Sequence, residues 1–184
     1  MIDQLKSIIG KRGGIARNNL FEASIFPPPA INFSVLRDVP ILCESTSLPG
    51  RQITSFEYPL FSFRQDVKVP NGYLNADLDV TFLMTNDFSI KELFEVWSDF
   101  VIDNRSYTIN YVRDYCGTVR IQSLNQKKEK NYEVILLNAW PITLNPIDLD
   151  NQTTDDYIRF QVTFTFEDFE TVFFGNTPNE IFQP

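Results

Sequence analysis

The chain has 184 residues, 43% hydrophobic and 14% aromatic, with 17 Phe, enough apolar mass for one packed domain, with or without extended arms, and biased toward pleated structure. A net charge of −8 disfavours tight nucleic-acid binding, which needs clustered Lys and Arg. With no His in the sequence, Ser–His and Cys–His nucleophile pairs and imidazole zinc sites are excluded.

In chain order, residues 1–17 read as a weakly structured arm, in which Lys11-Arg12-Gly13-Gly14 breaks any helix begun by Ile2, Leu5, Ile8 and Ile9. No long apolar leader with a small-residue cleavage site precedes it, so no signal peptide is expected, and no apolar run is long enough for a membrane span. Asn19–Phe26 alternates as a first strand and is stopped by Pro27-Pro28-Pro29, because proline donates no ladder hydrogen bond. Val39–Cys43 reads as a short second strand, and Ser45–Gly50 as a turn-rich loop. Cys43 and Cys116 are the only cysteines, too few for a disulfide scaffold, and are expected as reduced thiols.

Arg51–Tyr58 and Leu60–Pro70 form a strand pair or a long protruding β-loop, with Asn71-Gly72 as a turn signal. In the second segment Phe61, Phe63, Val67 and Val69 share one face, and Ser62, Arg64, Asp66 and Lys68 the other. Ala76–Thr85 is a further strand, with Leu78, Val80, Phe82 and Met84 opposite Asp77, Asp79 and Thr81. A helix is expected over about 89–102: Ser89 and Glu92 make a capping box, and Ile90, Leu93, Phe94, Trp97, Phe100 and Val101 fall at helical spacing.

Ser106–Val112 is a short strand or loop; Thr118–Leu124 and Tyr132–Ala139 are strands joined by the charged turn Asn125–Asn131. Trp140-Pro141 and Leu144-Asn145-Pro146 then read as bends, and Asp148–Asp156 as an acidic loop. Tyr157–Glu167 is the clearest strand of all, with Ile158, Phe160, Val162, Phe164 and Phe166 on one side and Arg159, Gln161, Thr163, Thr165 and Glu167 on the other. A long strand with a free edge invites pairing with other chains. The tail after Asp168 carries Phe169, Val172, Phe173, Phe174, Ile181 and Phe182, and is expected to dock on its own domain or on a partner.

Chemistry is sparse. No GxGxxG and no phosphate-binding GxxxxGK[ST] occurs. The 148–156 loop lacks the glycine and the terminal Glu of a calcium loop. Asp77 and Asp79 could be drawn as a hydrolase pair, but a solvated strand face accounts for them. No enzyme, cofactor or metal is expected.

The order Arg17-Asn18-Asn19-Leu20-Phe21, Ser47-Leu48-Pro49, a long β-loop, Asn86-Asp87 followed by the Trp97 helix, Ala139-Trp140-Pro141 and a last long alternating strand resembles the tail tube protein family of contractile-tailed bacteriophages. The resemblance covers about residues 17–168. It implies a mainly β fold, a β-sandwich or half-barrel with one packed helix, contributing strands to an inter-subunit β-barrel. On that division, 1–17 is an N-terminal arm, 18–168 the tube-like domain and 169–184 an aromatic extension. Hexameric rings would stack into a hollow tail tube through which duplex DNA passes without specific binding. Sheath, baseplate and neck proteins would be the other partners, in a virion tail assembled in the host cytoplasm. Asp77, Asp79, Thr81, Arg159, Gln161, Thr163, Thr165 and Glu167 would face the lumen. Arg51, Phe56, Tyr58, Phe61, Phe63, Arg64 and Lys68 would lie on the loop that reaches a neighbouring subunit. Main tube subunit, terminal tube paralogue and secretion-system tube protein all fit this pattern. The competing reading is a monomeric β-sandwich module binding carbohydrate or a receptor through Tyr58, Tyr73 and Phe174; a carboxylate hydrolase ranks below it.

Overall fold

A computed structural model describes residues 2–60, 65–150 and 157–174. The chain runs α1 (Ile2–Lys11), β1 (Phe21–Phe26), α2 (Val39–Leu42), β2 (Cys43–Thr46), β3 (Arg51–Leu60), β4 (Gln65–Asn75), β5 (Leu78–Leu83), α3 (Ser89–Val101), α4 (Val112–Tyr115), β6 (Gly117–Leu124), β7 (Lys130–Leu144), β8 (Arg159–Thr165) and β9 (Asp168–Phe173). Mainly β structure with one substantial packed helix is therefore the architecture, as the alternation patterns require. No helix among the described residues is long and apolar enough to cross a membrane.

One antiparallel sheet has the order β1-β6-β7-β8-β5-β2, and β9 pairs with β7 beyond the end of β8. Strands β3 and β4 stand apart as a two-stranded ribbon. Strand β7 is the spine of the sheet: residues 132–137 lie against β9, and 140–144 against β8. The switch falls at Asn138, which adopts φ 52° and makes the irregularity opposite β6. Asn tolerates this left-handed conformation better than most residues, and a bulge of this kind re-aims a strand without ending it.

The expected bend at Trp140-Pro141 is thus corrected. Pairing continues through both residues, Trp140 opposite Thr165 and Pro141 opposite Phe164. Strand β6 has its last pairing at Ala139, so among the described residues β7 has a strand on one side only from there, and a second irregularity follows Pro141. Edges and bulges are where a strand tolerates proline.

The apolar side of β8 packs on α3. Phe94 lies 5.7 Å from Phe164, 6.2 Å from Phe160 and 5.5 Å from Phe82, ring centre to ring centre. Trp97 stands edge-on to Phe164 at 6.1 Å, and its indole N–H donates to the Tyr115 carbonyl at 2.8 Å. Ala23, Ile25, Val119, Ile121, Val134 and Leu136 extend the same core across the other half of the sheet. Gly117 is fixed by this packing: a Cβ there would stand 2.4 Å from the Phe26 carbonyl oxygen and 2.9 Å from the Trp97 ring.

On the far side of that half, Glu133 is buried and accepts from Gln122 Nε2 at 2.6 Å. Arg120 Nε lies 3.1 Å from the same carboxylate, an ion-pair distance, though its N–H is not aligned for a hydrogen bond.

Several local expectations are corrected. Within the arm expected to be weakly structured, residues 2–11 form helix α1, which ends at Lys11 before Gly13 and Gly14, both at positive φ, and buries none of its residues. Val39–Leu42 is a helical turn, not a strand, because Pro40 occupies a first-turn position where its missing N–H costs nothing. Pairing begins only at Cys43. Asn71-Gly72 is not the hairpin turn: Gly72 pairs with Thr54 inside β4, which runs on to Asn75. Of the two alternatives for Ser106–Val112 the loop is the one found, with a bridge between Ile102 and Ile109 before α4. Helix α3 is held not by a Ser89 cap but by Asp87, whose carboxylate accepts from the Ser89 amide at 3.4 Å, the Ser89 hydroxyl at 3.1 Å and the Thr85 hydroxyl. These bonds, the one from Thr85 foremost, hold the Asp87 carboxyl below its ordinary range. The tail docks on its own domain as far as Phe173, with Phe173 5.0 Å from Tyr132.

Candidate functional site

Two surfaces gather the residues singled out in the sequence. The first is the outward side of β5 and β8, the side away from α3. Asp79 pairs with Thr163 and Thr81 with Gln161, and the Thr163 hydroxyl donates to Asp79 Oδ1 at 2.6 Å. Arg159, Gln161, Thr163 and Thr165 alternate with the buried Phe160, Val162 and Phe164, so all four emerge on this side. Asp77 lies just before β5. Glu167 lies just beyond β8, where its Oε2 accepts from Asn138 Nδ2 at 2.6 Å.

The structure adds residues that the sequence reading missed. Glu44 on β2 meets Arg159 at 2.7 Å, Ser45 sits opposite Thr81, and Thr143 on β7 sits opposite Thr163. Glu44 falls between the expected strand Val39–Cys43 and the expected loop that begins at Ser45. Thr143 was hidden behind the proline taken to end its strand. An unmatched arginine on an otherwise neutral-to-acidic strand face was the one available sign that a carboxylate lay nearby.

Among the described residues, Glu44 and Asp79 bring carboxylates to this face, with Asp77 and Glu167 at the ends of its central strands, and Arg159 brings a guanidinium. Its flanking strands are unfinished: β2 pairs only with β5, and residues 140–144 of β7 pair only with β8, among the described residues.

The second surface is the ribbon. Its strands pair from Arg51↔Asn75 to Leu60↔Gln65 and pack chiefly on each other. Alternation puts Phe56 and Tyr58 on the same side as their partners Val69 and Val67. Phe56, Tyr58, Val67 and Leu74 are 47%, 55%, 44% and 56% exposed, an apolar face that none of the described residues covers. Glu57 and Lys68 pair on the opposite side. Of the residues expected on the reaching loop, Phe61, Phe63 and Arg64 lie outside the described residues.

At the foot of the ribbon, Arg51 Nη2 donates to Asp168 Oδ1 at 2.6 Å and to the Phe169 carbonyl at 3.3 Å. Its guanidinium sits 4.6 Å from the Phe169 ring centre and 5.0 Å from that of Tyr73. Asn75 Nδ2 donates to the Glu167 carbonyl at 3.2 Å.

Among the described residues no three His, Cys, Asp or Glu side chains converge as a metal site. Both cysteines are free thiols. Burial pushes Cys43 up to about 12, and burial, then the Glu167 charge, raises Cys116, so neither is an activated nucleophile.

A family model described as phage tail tube protein matches residues 16–172. No curated protein gives a significant match to the sequence. Among solved structures, a chain of the anti-feeding prophage baseplate, six-fold symmetrised, superposes with a TM-score of 0.66 at 14% identity, over 86% of this chain and 95% of that one. A chain from the sheath/tube terminator of the PVC extracellular contractile injection system gives 0.63 at 15% identity, over 86% and 96%. One from the sheath-tube complex of the same system gives 0.60 at 14%, over 87% and 93%. At these identities the likeness is one of fold.

Proposed function

Because the chain belongs to the phage tail tube protein family, we propose that it is a structural subunit whose copies close into hexameric rings, and that the rings stack into a hollow tail tube that passes duplex DNA. The observation that carries this reading is the outward face of β7, β8, β5 and β2: polar, weakly acidic and bounded by two strands that each lack a neighbour among the described residues. Such a sheet is completed by copies of itself. If β2 of one subunit pairs beside residues 140–144 of β7 in the next, both open edges of the polar face are consumed and that face turns inward as a continuous barrel wall. Asp77, Asp79, Thr81, Arg159, Gln161, Thr163, Thr165 and Glu167 then line the lumen, together with Glu44, Ser45 and Thr143. Six-fold order is that of the anti-feeding prophage baseplate, one chain of which shares this fold.

A wall with more carboxylate than guanidinium holds phosphate at a distance, so DNA slides rather than sticks. The uncovered apolar face of the ribbon, with Arg51, Phe56, Tyr58 and Lys68 on its two sides, docks on a neighbouring subunit; Phe61, Phe63 and Arg64 belong to the same loop. Sheath, baseplate and neck proteins complete the tail. The role is structural rather than enzymatic, and residues 1–17 and 169–184 flank the tube domain of 18–168.

The lumen assignment is tested with purified tubes carrying Asp79→Lys and Glu167→Lys. Reversing both charges in every subunit gives a cationic ring, and duplex DNA that washes through native tubes is expected to be retained at low salt and released at high salt. Equal passage through native and doubly reversed tubes would place these residues off the lumen.

A further inference from the structure

We propose that Arg51 is the pivot that fixes the angle at which the β3–β4 ribbon leaves the domain, and that this angle sets the concentration at which copies assemble. The second half rests on the tube reading above; the first does not.

The ribbon is tied to the body at its foot, through the paired residues Arg51 and Asn75. Both ties end on one short segment, residues 167–169, where β8 passes into β9. Arg51 bridges the two parts physically. Tyr73 under its guanidinium belongs to the ribbon, while Phe169 and Asp168 belong to the body. Asp168 is itself held, since its Oδ1 also accepts from the Phe169 amide at 2.8 Å. An exposed ion pair alone would orient little. A planar guanidinium fixed by two rings and two acceptors defines a direction as well as a distance.

Direction matters because the ribbon is a lever. From Arg51 to Leu60, at about 3.3 Å per residue, it reaches about 30 Å, so a swing of about 15° at the foot displaces the far end by about 8 Å. A displacement of that size moves the apolar face off any surface it was shaped to meet.

The experiment places nitroxide labels at Glu57→Cys on the ribbon and Glu95→Cys on α3, in a Cys116→Ser background. Cys43 is buried, and its thiol resists labelling. Pulsed electron spin resonance on the full chain is expected to give one narrow distance distribution for Arg51, a distribution at least about twice as wide for Arg51→Ala, and an intermediate one for Arg51→Lys, which keeps the charge but not the planar stack. Near-UV circular dichroism checks that each variant keeps its core. In sedimentation velocity, Arg51→Ala is expected to need about tenfold more protein to assemble. A native-width distribution for Arg51→Ala would overturn the pivot. A widened distribution with an unchanged assembly threshold would overturn the claim that the angle controls assembly. If the native protein forms no oligomer at any concentration, the tube reading fails, and the label distances still decide the pivot.

Discussion

Replacing residues 52–74 by a short Gly-Ser turn is expected to abolish self-assembly while changing the melting temperature by no more than a few degrees. The two effects separate because the ribbon strands pack chiefly on each other and none of their described side chains belongs to the buried core. Arg51 and Asn75 are paired neighbours, so a tight turn can join them without strain on β2 or β5. What the deletion removes is the apolar face of Phe56, Tyr58, Val67 and Leu74. Burying two such side chains against a neighbour is worth roughly 3–6 kcal/mol, or about 10²–10⁴-fold in association. The double variant Phe56→Asp with Val67→Asp should therefore behave like the deletion. Sedimentation velocity measures the assembly and calorimetry the melting temperature. Assembly at the native threshold after the deletion would show that the ribbon is not a docking arm.

Trp97→Ala is expected to be the most damaging single truncation of the fold. Trp97 is fully buried, stacks at 6.3 Å on Phe94, meets Phe164 edge-on and donates to the Tyr115 carbonyl. Truncating a buried Trp costs about 3–5 kcal/mol, and here the Tyr115 carbonyl also loses its donor. In a domain of this size each kcal/mol is worth about 2–4 °C, so the melting temperature should fall by about 10–15 °C. Trp97→Phe should lose much less, because the ring contacts with Phe94 and Phe164 persist. The same indole sits against Gly117, so the cavity opens where β6 begins and α4 ends. Urea unfolding followed by far-UV circular dichroism reads the loss; a cost below about 1 kcal/mol would mean that α3 is not the element holding the sheet.

Strands and helix with long, regular patterns were readable before any coordinates. The alternation of Phe160, Val162 and Phe164 with Gln161, Thr163 and Thr165 became one buried and one outward face, and the Ile90–Trp97 stripe became the buried side of α3. Short elements were not readable. Four residues at Val39–Leu42 carry no period, and a proline that starts a helical turn looks the same as one that interrupts a strand. Asn71-Gly72 shows tertiary context overriding turn preference, since continued pairing with β3 holds Gly72 in the strand. The largest loss was the end of β7: the proline at 141 looks like a break and Asn138 like any strand residue, yet Asn138 at φ 52° and the irregularity after Pro141 are what lets one strand serve two partners. The candidate face was legible in its two central strands and not at its margins, because Glu44, Ser45 and Thr143 join it only through long-range register. The Arg51 clamp was invisible for the same reason, its partners lying at 168 and 169.

The central claim is that this sheet is finished by other copies of itself, and electron microscopy of the concentrated native protein, with and without baseplate fragments as seeds, tests it most directly. The account predicts closed rings with a central hole and six-fold class averages, stacking into tubes. Single compact particles at every concentration, seeded or not, would contradict it.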